Sequence, residues 1–369
     1  MLRIVILLGI VSMLGDVVYE GARSVIGPFL KTLGITPLEL GVVIGISELL
    51  SYVSKLLSGY LVDRTGRYWT FTILGYVLVF AIPLMAFPKD WKIIALLLIL
   101  ERVGKGLRGP ARDTILSFVT RGLGFGIHEL LDQIGAVLGP VLFFAILSLG
   151  YGYEFGFELL FVPATLLLLA LLIAYSNLPN PKPLRRMEVE GKGSFGLYIL
   201  FVFFTFLGFV NFQLIAYHLK GIVPDAEIPL LYALAMGLDG LLAPVVGWIY
   251  DRIGLRILNV SPLLFASLPL SFLYPQAVIL YGVCLAFQET VMRVAVADLV
   301  EVERRGISYG LLNVSQGLGL FLGSVVVGAI YNSITAIFAF VLITQILAGV
   351  TLSFMGRGTS KSSRRIRLS

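Results

Sequence analysis

The sequence predicts an all-α membrane protein with twelve transmembrane helices in two pseudo-symmetric six-helix bundles, and three observations carry that expectation. Of its 369 residues 58% are apolar and only 14% charged, with a mean hydropathy of +0.94. A soluble domain of this size needs far more polar surface to face water. The apolar residues fall into about twelve runs bounded by glycine, proline and charge clusters, each close to the roughly 20 residues a helix needs to cross ~30 Å of hydrocarbon. Finally, motifs from the first half return in the second, in the same order.

The predicted spans lie near 3–30, 37–62, 69–88, 92–118, 123–149, 155–176, 195–219, 228–250, 256–274, 276–299, 307–331 and 334–355. Strands of a membrane barrel alternate polar and apolar residues. Here Ile93 to Leu100 and Leu166 to Ala174 are continuously apolar and leucine-rich, so the spans are helices. The first run is about 28 residues long, carries Asp16, Glu20 and Arg23, and lacks the short apolar core and cleavage site of a secretory signal. It is expected to remain as a helix.

Between the second and third spans stands Gly59-Tyr-Leu-Val-Asp63-Arg64-Thr-Gly66-Arg67, and 188 residues later Gly247-Trp-Ile-Tyr-Asp251-Arg252-Ile-Gly254-Leu-Arg256. Arg108-x4-Asp113 at the end of the fourth span returns as Arg293-x4-Asp298, and Gly126-x8-Gly135-x3-Gly139-Pro140 in the fifth as Gly310-x8-Gly319-x3-Gly323-Ser324. Such a repeat divides the chain into bundles at 1–176 and 195–356, joined by a basic, proline-containing linker at 177–194 and followed by a basic tail at 357–369.

Arg3, Arg64, Arg67, Arg121, the linker cations, Arg252, Arg256, Arg304, Arg305 and the tail from Arg357 to Arg367 fall on one side of a twelve-span topology, against Lys31, Lys89, Lys92 and Lys220 on the other. The positive-inside rule then puts both termini and the linker in the cytoplasm of a multi-pass protein of the cell membrane. The net charge of +6 is accounted for by these loops and by anionic lipid, without a nucleic-acid partner. A single cysteine, Cys284, excludes an internal disulfide framework.

Two six-helix halves, each with Gly-x3-Asp-Arg-x-Gly after its second helix, resemble the major facilitator superfamily of secondary transporters over essentially the whole chain. The resemblance implies a conformational latch around Gly59, Asp63, Arg64, Gly66 and Arg67, with Asp63 meeting the amino end of the eleventh helix and an arginine of the fourth, Arg108 or Arg112. Asp113, Asp251 and Arg252 belong to the same set, and a loop-stabilising ion pair is the simpler alternative. Gly126, Gly135, Gly139 and Pro140 resemble the fifth-helix motif of antiporter members, although Phe143 and Phe144 stand where that motif closes with glycines. Close helix packing with a proline kink explains the same residues. Arg102-Val-Gly-Lys105-Gly106 resembles the family's Arg-x3-Gly motif, whose arginine is linked to proton transfer.

An ionised side chain at the bilayer centre costs ~2.5 kcal/mol or more and therefore faces a wet cavity or a partner. Asp16 and Glu20 fall near the middle of the first span, with Glu101, Arg102 and Lys105 at similar depth in the fourth. The proton-coupling candidates are Asp16 first, then Glu20 and Glu101, with Arg102 as counter-charge; a permanently paired network is the alternative. Arg23 and Lys105 are cavity candidates that could hold an anion, and the resemblance places Asn211, Gln213, Gln288, Glu289 and Arg293 opposite them. The expected function is alternating-access, proton-coupled export of a small amphipathic or drug-like compound, or else transport of a charged metabolite. A sensor on the same scaffold is the third alternative. No catalytic residue, metal or cofactor is expected beyond a proton gradient: the two histidines lie far apart, and the Gly-Lys-Gly segment at 104–106 lacks the spacing of a phosphate-binding loop. A monomer is the default expectation.

Overall fold

The computed structural model describes residues 2–120, 122–178, 194–300 and 305–366. Among these the chain is helical, with no strand beyond an isolated bridge between Lys220 and Val223. In the first half the helices are α1 (Leu2–Thr32), α2 (Pro37–Thr65), α3 (Tyr68–Val77), α4 (Trp91–Val119), α5 (Gly122–Ser148), α6 (Tyr153–Leu159) and α7 (Phe161–Asn177). The second half contributes α8 (Ser194–Leu207), α9 (Phe212–Leu219), α10 (Glu227–Ile253), α11 (Ser261–Ala266), α12 (Ile279–Leu299), α13 (Arg305–Ala329) and α14 (Ile334–Ile366). The basic tail expected after residue 356 thus begins as a continuation of α14.

Local chemistry sets the boundaries. Thr36 and Glu39 form a reciprocal capping box at the start of α2, with Pro37 at the first helical position. Gly66 ends that helix at φ 67°, and its repeat counterpart Gly254 ends α10 at φ 59°. Both are left-handed positions that favour glycine, which gives the repeated motif a structural reason at each copy. The third and ninth spans are not single α-helices as expected. Each breaks into 3-10 turns, at 78–86 and 254–272, where Pro83 and Pro269 remove a backbone donor. The seventh span breaks between α8 and α9, leaving Asn211 in extended backbone at the amino end of α9.

Ten helical stretches among the described residues are long and apolar enough to cross a membrane, against the twelve expected. Two features account for the difference. Residues Glu227–Phe272 form one 46-residue stretch, about twice the length that spans ~30 Å. α4 has the length, 29 residues, but carries Glu101, Arg102, Lys105, Arg108, Arg112 and Asp113.

In lipid no hydrophobic force drives helix association, so close contact through small residues matters most. A Cβ on Gly135 or Gly139 of α5 would run into the α1 backbone at Met13, Val17 and Gly21. The repeat copies on α13, Gly319 and Gly323, meet the α8 backbone at Phe203 and Leu207 in the same way. Between halves, Gly27 of α1 abuts Gln213 of α9, while Gly41 and Gly45 of α2 abut Phe321 and Ser324 of α13. At that end Lys31 Nζ donates 2.9 Å bonds to the carbonyls of Tyr217 and Lys220, and the Tyr217 hydroxyl donates to Ile35 O at 3.0 Å. The two halves are closed together where α1 ends and α2 begins.

Candidate functional site: a charged cavity between the halves

A cavity of about 280 Å³ lies between the halves, lined mainly from α1, α2, α4, α5, α10 and α12, with single residues from α3, α8 and α13. Its volume is near the lower end of the range for small-molecule sites, about 300–1,000 Å³.

On α1, Asp16, Tyr19, Glu20 and Arg23 recur at helical spacing and all face this cavity. Arg23 Nη1 lies 3.6 Å from Glu20 Oε1. Both members of this pair also reach the other half. The Tyr232 hydroxyl of α10 donates to Glu20 Oε2 at 2.6 Å, and Arg23 Nη2 donates to the Tyr281 hydroxyl of α12 at 3.2 Å.

α4 supplies the opposing charges. Arg102 is 2% exposed and its Nη2 lies 3.2 Å from Glu48 Oε1 of α2, so its nearest carboxylate belongs to Glu48 rather than Asp16. The Arg102 guanidinium also packs 4.3 Å from the centre of the Tyr19 ring, and Lys105 Nζ sits 3.5 Å from the same centre. Glu101 is fully buried, off the cavity lining, and accepts a 3.4 Å bond from Arg108 Nη2. Arg108 also donates to Gly75 O, and Arg112 bonds Ser12 Oγ at 2.6 Å and its neighbour Asp113 at 2.9 Å. Both arginines expected to meet Asp63 therefore make these bonds elsewhere.

Asp63, Arg64 and Arg67 lie exposed at the end of α2 and just beyond. The amino end of the eleventh span, where Asp63 is expected to make contact, begins at Arg305, and the side chains of 305–307 lie outside the described residues. Asp251 and Arg252 are exposed at the end of α10, with Arg252 stacked 3.7 Å from the Trp248 ring. From the second half, Asn211, Gln288 and Glu289 line the cavity. Asn211 donates to Ser324 Oγ at 2.6 Å, and Gln288 Oε1 is buried with no hydrogen-bond partner among the described residues. Gln213 is 1% exposed and off the lining, and the Arg293 side chain lies outside the described residues.

Tyr19 and Gln133 of the cavity lining, and the tyrosines Tyr232 and Tyr281 that hold Glu20 and Arg23, were not singled out by the sequence, which marks Asp239 only as a group as able to pair with a neighbouring helix as to touch substrate. A buried tyrosine must place its hydroxyl on a partner, and Tyr19 shares the helical face of Asp16 and Glu20, so part of this signal was present. Gln133 Nε2 donates to Met236 O at 2.5 Å, which ties α5 to α10 and sets Asp239 on the cavity wall one turn further on.

Against known proteins, the family model for the Major Facilitator Superfamily matches residues 6–287 and 195–367. The chain belongs to the major facilitator superfamily. An uncharacterised protein of Mycobacterium tuberculosis is 37% identical over 95% of this chain and 92% of its own. An uncharacterised MFS-type transporter of Methanocaldococcus jannaschii is 26% identical over 95% of this chain and 94% of its own. Among solved structures, a POT family transporter in complex with 5-aminolevulinic acid matches with a TM-score of 0.77 at 14% identity, covering 97% of this chain and 96% of that one. A mutant of the nucleoside transporter NupG matches with a TM-score of 0.74 at 16% identity, over 96% and 99%. At such identities the structural likeness shows the shared superfamily fold. This superfamily member is thus a multi-pass membrane transporter whose halves enclose a polar, charge-lined cavity.

Proposed function

We propose that this transporter moves a small, charged, polar solute by alternating access, with proton movement as the coupled reaction and no enzymatic step. The supporting observation is the cavity lining. Apolar walls are few, chiefly Ala136, Phe206, Phe209, Met236, Leu285 and Leu320, while both halves contribute charged or amide side chains. Such a wall suits a hydrated metabolite better than a lipophilic drug. The export reading rested on the fifth-helix motif, and close packing of Gly135 and Gly139 on α1 already accounts for two of its glycines. Export therefore stands below the charged-metabolite reading, and basic loops placed in the cytoplasm give the working orientation.

Asp16 is the proton site in this scheme. Its charged neighbours are Asp132 of α5, Lys105 and Arg112 of α4, and Glu20 of its own helix. A solute that draws Lys105 away leaves Asp16 beside other carboxylates, and a proton then relieves the repulsion. Return of Lys105 after solute release expels it.

The test is solute-dependent proton movement in liposomes carrying the purified protein and a trapped pH dye, with organic anions, amino acids, sugars and lipophilic cations added in turn. A polar charged solute should move protons in the wild type, and Asp16→Asn should abolish that coupling. Flux driven only by lipophilic cations would restore the drug-export reading. Solute flux without proton movement in the wild type would remove proton coupling.

A further inference from the structure

The strongest unassigned feature is the cavity's pattern of paired and unpaired charge, and the inference drawn from it rests on the transporter reading above. Two of the three cations around the Tyr19 ring have a carboxylate at short range, Arg102 with Glu48 and Arg23 with Glu20. Lys105, the closest of the three to the ring, makes no ion pair within 4.0 Å among the described residues. Tyr19 is 3% exposed, so Lys105, which lines the cavity, is held on a buried aromatic surface. A cation–π contact holds the ammonium without neutralising it.

The facing wall carries the opposite deficit. Asp239 of α10 is 6% exposed, lines the cavity, and makes no ion pair among the described residues. Its helix is anchored at two points on its amino-terminal side. Tyr232, seven residues earlier, holds Glu20, and the carbonyl of Met236, three residues earlier, accepts from Gln133. Seven residues are about 10 Å of helical rise between the backbone positions of Tyr232 and Asp239.

We propose that the cavity is a two-ended site for a small zwitterion, with Lys105 on the Tyr19 ring receiving the substrate's anionic group and Asp239 on the opposite half receiving its cationic group. A buried ammonium on one half and a buried carboxyl group on the other, each without an ion-pair partner among the described residues, cost stability when charged, and a ligand that supplies both counter-charges at once removes both costs. It also bridges the halves, so the same ligand favours the enclosed state. A pure anion or a pure cation satisfies one wall and leaves the other bare.

The experiment uses the full chain in liposomes with a trapped pH dye and a matched set of probes: ω-amino acids from glycine to 6-aminohexanoate, each beside the monocarboxylate and the monoamine of equal length. Thermal unfolding of the purified protein with the same probes supplies a readout independent of transport. The expected result is that at least one ω-amino acid acts at a concentration about tenfold or more below both counterparts. Read by thermal unfolding, which does not need Lys105 as the partner of Asp16, Lys105→Gln should reduce that amino acid to the level of its amine, and Asp239→Asn to the level of its carboxylate. Lys105→Arg keeps the charge and should keep the preference, which separates lost binding from lost folding. The proposal is overturned if zwitterion, acid and amine act alike, if no amino acid acts, or if either neutral variant shifts the thermal effect of all three probes equally. Proton flux driven by a sugar or a simple anion would sink the zwitterion site while leaving the transporter reading intact. Failure of every solute to move, in the pH-dye assay and as label, would sink both.

Discussion

The Tyr232 hydroxyl donates a 2.6 Å hydrogen bond to Oε2 of Glu20, joining α10 to α1 across 212 residues of sequence. Glu20 is at the same time the partner of Arg23, whose Nη2 reaches Tyr281 of α12. One ion pair of the first half is therefore held by two tyrosines of the second, on the closed side of the cavity.

That junction exists while the halves are closed where α1 ends and α2 begins, so its loss should favour opening at that end. A hydrogen bond to a charged group is worth ~1.5–3 kcal/mol net, and each 1.4 kcal/mol is about tenfold in a population. Tyr232→Phe in a Cys284→Ser background should speed labelling of Ile35→Cys by an impermeant thiol reagent, since Ile35 is only 2% exposed at the closed seam. Unchanged labelling would deny the junction any role in closure.

Arg102 and Glu48 are both buried, and removing one strands the other. Arg102→Leu should destabilise the detergent-solubilised protein by about 3–5 kcal/mol, read as a lower unfolding midpoint. Combining Arg102→Leu with Glu48→Gln should recover much of that loss. Strictly additive effects in this cycle would mean the 3.2 Å contact carries no coupling.

The fifth-helix glycines should separate by position. A Cβ at Gly139 would strike the α1 backbone, whereas Gly126 has open space around it. Gly139→Val is expected to cost ~1–3 kcal/mol or more through overpacking. Gly126→Ala should leave folding unchanged. Equal tolerance at both sites in a thermal-unfolding series would contradict the packing account.

Lys31 bonds two of the last carbonyls around the end of α9, groups that would otherwise lack partners. Lys31→Met should raise amide hydrogen exchange in the 217–223 turn while leaving the rest of the fold protected. No change there would show that water replaces the lysine without cost.

Much of the architecture was legible in the sequence because membrane solvation is so restrictive: long apolar runs have few alternatives to helices, and the motif repeat announced its symmetry. Breaks within spans were harder to see. Pro83 and Pro269 do interrupt helices, but Pro28, Pro110, Pro140 and Pro244 lie inside continuous ones, because neighbouring helices decide which proline is tolerated. The site was legible as a set of charges and not as a set of pairs. Asp16, Glu20, Arg23, Arg102 and Lys105 do face one cavity. Pairing depends on helix rotation, which no spacing along one helix reveals: Arg102 turned to Glu48, and Glu101 turned away to Arg108. The tyrosines were hidden among many apolar neighbours, since only their packing across halves shows what their hydroxyls hold.

The central claim is alternating access, with the two halves separating at one end as they close at the other. Spin labels at Leu38 and Ile222 report the closed end, and labels at Thr65 and Ile253 the opposite end, all at exposed sites and in the Cys284→Ser protein. Pulsed electron-spin distance measurements should show the two separations changing in opposite senses when a transported solute is added or the pH is shifted. Two separations that stay fixed, or that widen and narrow together, would contradict the account.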